Sequence, residues 1–235
     1  MDEKEIIELI KSTKLNHIAI IMDGNRRWAK KSHLPSMLGH KKGVSALKTI
    51  TRACNDLGIK YLTLYAFSTE NWNRKKEEVD FLMDLFATTL KNELQELNEN
   101  KVKLNYIGNL SQLNPNLQKI LTDSKELTKN NKGVTLTVAV NYGAREEIIN
   151  AVKNIVQDKV EINEKNFSNY LYTKNLPDPD LLIRTSGEKR ISNFLLYQIA
   201  YSEVYITDTL WPDFNKEQLG LAIREFALRQ RRWGK

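Results

Sequence analysis

The chain has 235 residues, a formal net charge of +7 and a single cysteine, Cys54. That length suits one large domain whose core needs no staples, and one cysteine excludes any intramolecular disulfide. No apolar run approaches the ~18 residues needed to cross a bilayer, and the charge points to polyanions, anionic membrane surfaces or phosphorylated small molecules without choosing among them.

Residues 1–14 are charged and amphipathic, unlike a signal peptide, and residues 3–14 read as an opening helix. Residues 18–22 form a short apolar run rich in β-branched residues, as expected of a strand buried on both faces. Asp23, Gly24, Asn25, Arg26, Arg27 and Trp28 follow without a gap and begin a polar loop reaching about residue 38. Residues 43–57 read as a helix stopped by Gly58. Residues 60–67 are a second strand that ends in the polar run STENWNR. Residues 77–100 keep a helical period through Phe81, Leu82, Leu85, Phe86, Leu90, Leu94 and Leu97. Strands at 102–107, 134–140, 180–183 and 203–207 follow, with helices at 114–129, 145–156, 167–172, 191–200 and 216–232. Strands alternating with helices predict the α/β class: a single domain over residues 1–235, with about six mostly parallel strands surrounded by helices.

Four polar clusters follow apolar strands, at residues 23–28, 68–74, 141–145 and 184–192. In a parallel sheet they converge on the carboxyl edge, where open α/β sheets bind ligands. Arg27, Arg74, Arg184 and Arg190 offer planar forks for phosphate oxygens; salt bridges on a solvated face are the plainer alternative. Asp23 and Glu203 could together hold a hard divalent cation such as Mg²⁺, although an aspartate at a strand end is more often a helix cap. No GxxxxGK[ST] loop is present, no GxGxxG follows a strand, and His17, His33 and His40 are too scattered for zinc. Val44, Leu47, Leu64, Ala66, Phe67, Phe81, Leu85, Phe86 and Leu90 supply either ordinary core or an apolar channel that would suit a lipid diphosphate.

MDGNRRW at 22–28, GHKKG at 39–43, YAFSTENWNR at 65–74, LIRTSGEKRISNFLLYQIAYSEVY at 182–205 and LWPDF at 210–214 resemble the cis-prenyltransferases, in the right order from about residue 15 onward. The resemblance implies a homodimer with a hydrophobic tunnel in each subunit. It implies condensation of isopentenyl diphosphate units onto farnesyl diphosphate with cis double bonds. A C55 polyprenyl diphosphate, precursor of the carrier lipid for cell-wall glycans, would be the product. Asp23 matches the essential Mg²⁺-associated aspartate, and Glu203 the second metal-associated carboxylate. Gly24, Asn25, Arg26, Arg27, Trp28, Ser36 and His40 match the allylic diphosphate region. Arg184, Arg190, Ile191 and Ser192 match the isopentenyl diphosphate site. Ser68, Thr69, Glu70, Asn71, Trp72 and Arg74 match the mobile loop, with Asn71 at a position assigned as proton acceptor; the released diphosphate is the other candidate. Ala66 falls on the tunnel wall, and Arg231 and Arg232 on a tail that reaches the partner subunit or forms surface charge pairs.

Four positions depart from the family pattern. Arg26 stands where glycine is usual, Ser36 where arginine contacts the allylic diphosphate, Lys75 where proline is usual and Lys189 where histidine is common. The rival reading is a non-catalytic accessory subunit, but such proteins lack the aspartate and the ENWxR segment that this chain retains. No stacking or groove-binding motif supports nucleic acid as a partner. A cytosolic protein is expected, or one peripheral at the inner face of the membrane, with transient membrane contact for a greasy product.

Overall fold

The computed structural model describes residues 2–230. Its strands are β1 (His17–Ile21), β2 (Tyr61–Ser68), β3 (Lys103–Ile107), β4 (Thr135–Tyr142), β5 (Leu181–Arg184) and β6 (Glu203–Ile206). They form one six-stranded sheet in the order β3-β4-β2-β1-β5-β6. Every pairing is parallel. β1 lies at the centre with all five residues buried, which is why its sequence is continuously apolar.

The helices are α1 (Glu3–Thr13), α2 (Asn25–Lys31), α3 (Ser36–Asp56), α4 (Lys76–Glu99), α5 (Pro115–Thr128), α6 (Ala144–Gln157), α7 (Glu164–Ser168) and α8 (Lys216–Leu228). One core cluster joins Ile18, Ile20, Leu62 and Leu64 of the sheet to Ile50, Leu90, Leu117 and Ile223 of the helices. A second cluster, on residues such as Ala19, Ile21 and Ala139, packs Tyr142, Phe194 and Leu195. The alternation of side chains along the central strands therefore feeds two layers, one on each face.

Four segments differ from the sequence expectation, one of them the predicted helix at 167–172: α7 covers only its first two positions, and the rest runs through turns. The predicted loop at 23–38 holds α2, and α3 begins seven residues before the predicted start. Gly39 and Gly43 lower local helix propensity, but the fold needs both for close packing. A Cβ on Gly39 would lie 2.0 Å from the Asn25 carbonyl oxygen, and one on Gly43 would lie 2.3 Å from Asn25 Oδ1. The predicted helix at 191–200 is a chain of turns, because Ser192, Asn193 and Leu195 all take positive φ. Gln198 Nε2 in that segment donates to buried Glu147 of α6 at 3.0 Å, tying the turns to the sheet's second face. The last helix ends at Leu228; Arg231 and Arg232 lie outside the described residues.

β2 carries an irregularity between Tyr65 and Ser68. Tyr65 pairs with Ala139 and Phe67 with Val140, so Ala66 is left without a partner in the ladder.

Candidate active site

Asp23 lies two residues past the end of β1. Its backbone is fixed by Thr185, whose hydroxyl accepts from Asp23 N–H at 2.9 Å and donates to the Asp23 carbonyl at 2.7 Å. The Trp211 amide also donates to that carbonyl, at 2.9 Å. Gly24 follows at φ 116, a conformation that turns the chain directly into α2.

The Asp23 carboxylate sits between two guanidiniums. Arg27 Nη2 approaches Oδ1 at 3.1 Å and Arg184 Nη2 approaches Oδ2 at 2.8 Å. Partial burial raises the Asp23 pKa, but hydrogen bonds from Arg184 and Arg27 outweigh it and hold the carboxyl below its ordinary value. It therefore stays ionised at neutral pH. Arg184 is itself buried, and its Nη1 donates to Ser192 Oγ at 2.8 Å and to the Arg190 carbonyl.

Glu188 links the two outer arginines. Its Oε1 accepts from Arg27 Nη1 at 2.9 Å and its Oε2 from Arg190 Nη1 at 2.5 Å. Sequence reasoning missed both Glu188 and Thr185, although both stand inside the motif at 182–205.

The loop after β2 closes another side. Ser68 and Asn71 form a reciprocal cap, with the Ser68 amide donating to Asn71 Oδ1 at 3.2 Å. Trp72 donates to Asn141 at 2.7 Å and stacks edge-on against Phe67. Glu70 accepts from Asn193 at 2.8 Å, and Thr69 packs against Gly143, whose added Cβ would lie 2.6 Å from its hydroxyl. Arg74 and His40 meet on Glu78, at 3.0 and 3.7 Å. Burial and the Arg74 charge push the His40 pKa down, so the ring is neutral. Trp28 donates to Asp213 at 2.8 Å, Ser36 opens α3, Arg26 is exposed, and Ile191 packs against the second core cluster.

Glu203 does not join this group, which corrects the expectation that it stands beside Asp23 as a second metal-holding carboxylate. It is the first residue of β6 and aligns with Leu181, which in turn aligns with Ile18. That places it roughly 10 Å short of the carboxyl edge along the strand, where it pairs with Arg229 at 2.9 Å.

Six buried side-chain atoms among the described residues lack a hydrogen-bond partner, and four cluster at this edge: Asn25 Oδ1, His40 Nε2, Arg184 Nε and Ser186 Oγ. Buried polar atoms are ordinarily paired, so such a concentration marks a site for a polar ligand.

Beside it opens a cavity that, with the open solvent at its mouth, takes in about 1320 Å³ of space. It starts at Asn25 and His40 and runs between α3 and α4 over the sheet to Asn55 and Asn100. Val44, Leu47, Ala66, Phe67, Leu82, Leu85, Phe86 and Leu90 line it, so these residues form a channel wall as well as core. Unpaired Ala66 is where the strand irregularity turns a small side chain into the cavity. No group of three or more His, Cys, Asp or Glu side chains suited to a metal occurs among the described residues.

An anion-binding edge joined to an apolar channel defines a protein that handles amphiphiles with charged heads. A family model described as "Putative undecaprenyl diphosphate synthase" matches residues 21–234, and the chain belongs to that family, the cis-prenyltransferases. An isoprenyl transferase from Clostridium perfringens is 50% identical, over 99% of this chain and 95% of its own. A ditrans,polycis-undecaprenyl-diphosphate synthase from Micrococcus luteus, specific for (2E,6E)-farnesyl diphosphate, is 51% identical over 93% of this chain and 90% of its own. Among solved structures, lavandulyl diphosphate synthase from Lavandula x intermedia, bound to dimethylallyl diphosphate, superposes with a TM-score of 0.91 at 38% identity, covering 95% of this chain and all of that one. An enzyme from Campylobacter jejuni described as a probable undecaprenyl diphosphate synthase gives 0.81, also at 38% identity, covering 94% and 99%. The chain is thus a transferase that elongates prenyl chains in cis; nothing in these relatives favours an accessory, non-catalytic role.

Proposed function

We propose that the enzyme adds isopentenyl diphosphate units to farnesyl diphosphate and makes a long polyprenyl diphosphate, C55 in length, for the carrier lipid of cell-wall glycans. The observation that carries this reading is Asp23, ionised between Arg27 and Arg184 at the mouth of the apolar cavity. The allylic diphosphate would rest on Asn25 and Arg27 in the first turn of α2 and on His40, with its hydrocarbon in the channel. The isopentenyl diphosphate would rest on Arg184, Arg190 and Ser192. Breaking the allylic carbon–oxygen bond releases diphosphate, and the arginines stabilise the charge that develops on it. The new carbon–carbon bond forms to the isopentenyl double bond, which then loses a proton. Asn71 is a neutral amide whose oxygen already accepts from Ser68; both facts favour the departing diphosphate as the proton acceptor and leave Asn71 to shape the loop.

Asp23 fits a Mg²⁺ ion of the kind held by one carboxylate with substrate phosphates and water. Such an ion would supply Lewis-acid neutralisation of the leaving diphosphate. The donors are hard oxygens, the carboxyl is ionised at neutral pH, and Glu203 takes no part within one subunit. We also assign the working form as a homodimer with transient membrane contact. No described helix is long and apolar enough to cross a membrane.

Radiolabelled isopentenyl diphosphate with farnesyl diphosphate and Mg²⁺ should give extended lipid. Asp23→Ala should lower the rate at least about a hundredfold, the scale of losing a charge-stabilising group. A wild-type protein that makes no extended chain overturns the reading; an active Asp23→Ala overturns the role given to Asp23.

A further inference from the structure

Residues 24–55 contain no aspartate or glutamate but eight lysines and arginines. Arg27, Lys48 and Arg52 are used in ion pairs with Asp23 and Glu188, with Glu93, and with Glu96. The other five, Arg26, Lys30, Lys31, Lys41 and Lys42, are exposed and form no ion pair among the described residues. They lie on α2 and the first two turns of α3. The connection between these helices exposes Leu34 at 39%, and the first turn of α3 exposes Met37 at 46% and Leu38 at 41%. The surface thus carries three exposed apolar side chains with exposed cations before and after them along the chain.

Its position is set by the same helices that build the site. His40, Gly43, Val44 and Leu47 turn one face of α3 to the cavity, while Met37, Leu38, Lys41 and Lys42 are exposed. α2 begins directly after Asp23 and Gly24, so the patch lies on the carboxyl edge of the sheet beside the cavity mouth.

We propose that this α2–α3 face docks on an anionic lipid bilayer. Attraction of substrate diphosphates explains cations near Asp23. It gives no reason to expose three large apolar side chains among them. A bilayer with acidic headgroups matches both features: the lysines meet lipid phosphates, and Leu34, Met37 and Leu38 enter the headgroup boundary. Docking there turns the mouth of the lipid channel to the membrane. That benefit rests on the prenyl-lipid reading, whereas the binding itself does not.

The test is co-sedimentation of the full chain, without substrates, with phosphatidylglycerol-containing vesicles and with pure phosphatidylcholine vesicles. The expected result is binding to the anionic vesicles only, weakened by salt. K30E/K31E should weaken it about tenfold or more, since each cation near such a surface matters separately. L34S/M37S should weaken it at unchanged charge. Elongation in detergent solution should stay at the wild-type rate in both variants. Failure of wild type to bind, equal binding to neutral vesicles, or binding that survives both variants overturns the proposal. So does a matching loss of detergent activity, which would assign the patch to substrate capture. Because binding is read without catalysis, a failed vesicle experiment leaves the elongation reading standing, and the reverse also holds.

Discussion

Asp23 and Glu188 are both carboxylates between arginines, yet they differ in consequence. Asp23 is pinned by buried Arg184, and its ionisation is a property of the site. Glu188 bridges Arg27 and Arg190, whose side chains are 45% and 62% exposed. Exposed pairs contribute only ~0–1 kcal/mol each, so a diphosphate with several charged oxygens should displace Glu188 from both arginines. The resemblance assigns these arginines to different diphosphates, so one carboxylate occupies part of both subsites before substrate arrives. Glu188→Gln should therefore bind inorganic diphosphate several-fold more tightly by calorimetry. Weaker binding in that variant would mean that Glu188 orients the arginines instead of competing for them. The motif around Glu188 was legible in the sequence, but this role was not. It depends on contact with Arg27, 161 positions away, which no local pattern records.

At the scale of elements, the long periodic helix and the four long strands were legible because burial on one or both faces dictates their spacing. α2 and the start of α3 were not, because Gly39 and Gly43 suppress the helical signal where the fold requires small residues. Gly39→Ala measures that conflict. Alanine adds about 1 kcal/mol of helix propensity, but its Cβ would press on the Asn25 carbonyl at 2.0 Å. Overpacking against backbone costs about 1–3 kcal/mol, so the net change should be a lower melting temperature together with weaker diphosphate binding. A more stable Gly39→Ala would show that α2 can shift freely. The segment at 191–200 misled for the opposite reason. Ile191, Phe194, Leu195 and Ile199 have helical spacing, yet their burial is achieved by turns with positive φ. Ala66 links element to product: released from the ladder by the irregularity in β2, it faces the cavity. Ala66→Leu should fill part of that space and shift the ladder of extended products to shorter chains. An unchanged ladder would remove Ala66 from the wall.

At the scale of the molecule, strand polarity decides what converges. The sequence showed a carboxylate in Asp23 and another in Glu203, but only sheet order and register reveal that Glu203 begins its strand where Asp23 follows the end of its own. The same polarity places His17 at the buried start of β1, far from the chemistry, where it ties the sheet to the loop before β5. Nδ1 donates to the Pro177 carbonyl at 2.7 Å, which leaves Nε2 to accept from Thr63 Oγ1 at 2.8 Å. Burial pushes its pKa down to about 4, against opposing contributions from the Pro177 bond and the Asp180 charge. The unfolded chain, with an ordinary histidine pKa near 6.5, then binds more protons than the folded one between these values. Stability from this group is complete above pH ~6.5 and is lost as pH falls toward 4, by a total on the order of 3 kcal/mol. Urea unfolding across that interval should show the loss in wild type and a flatter dependence in His17→Gln, measured relative to each protein's own stability at pH 7. Carboxylates such as Asp23, held below their ordinary values, add their own loss at lower pH in both proteins and cancel in the comparison. Parallel pH profiles for the two would mean that His17 is protonated as readily in the fold as outside it.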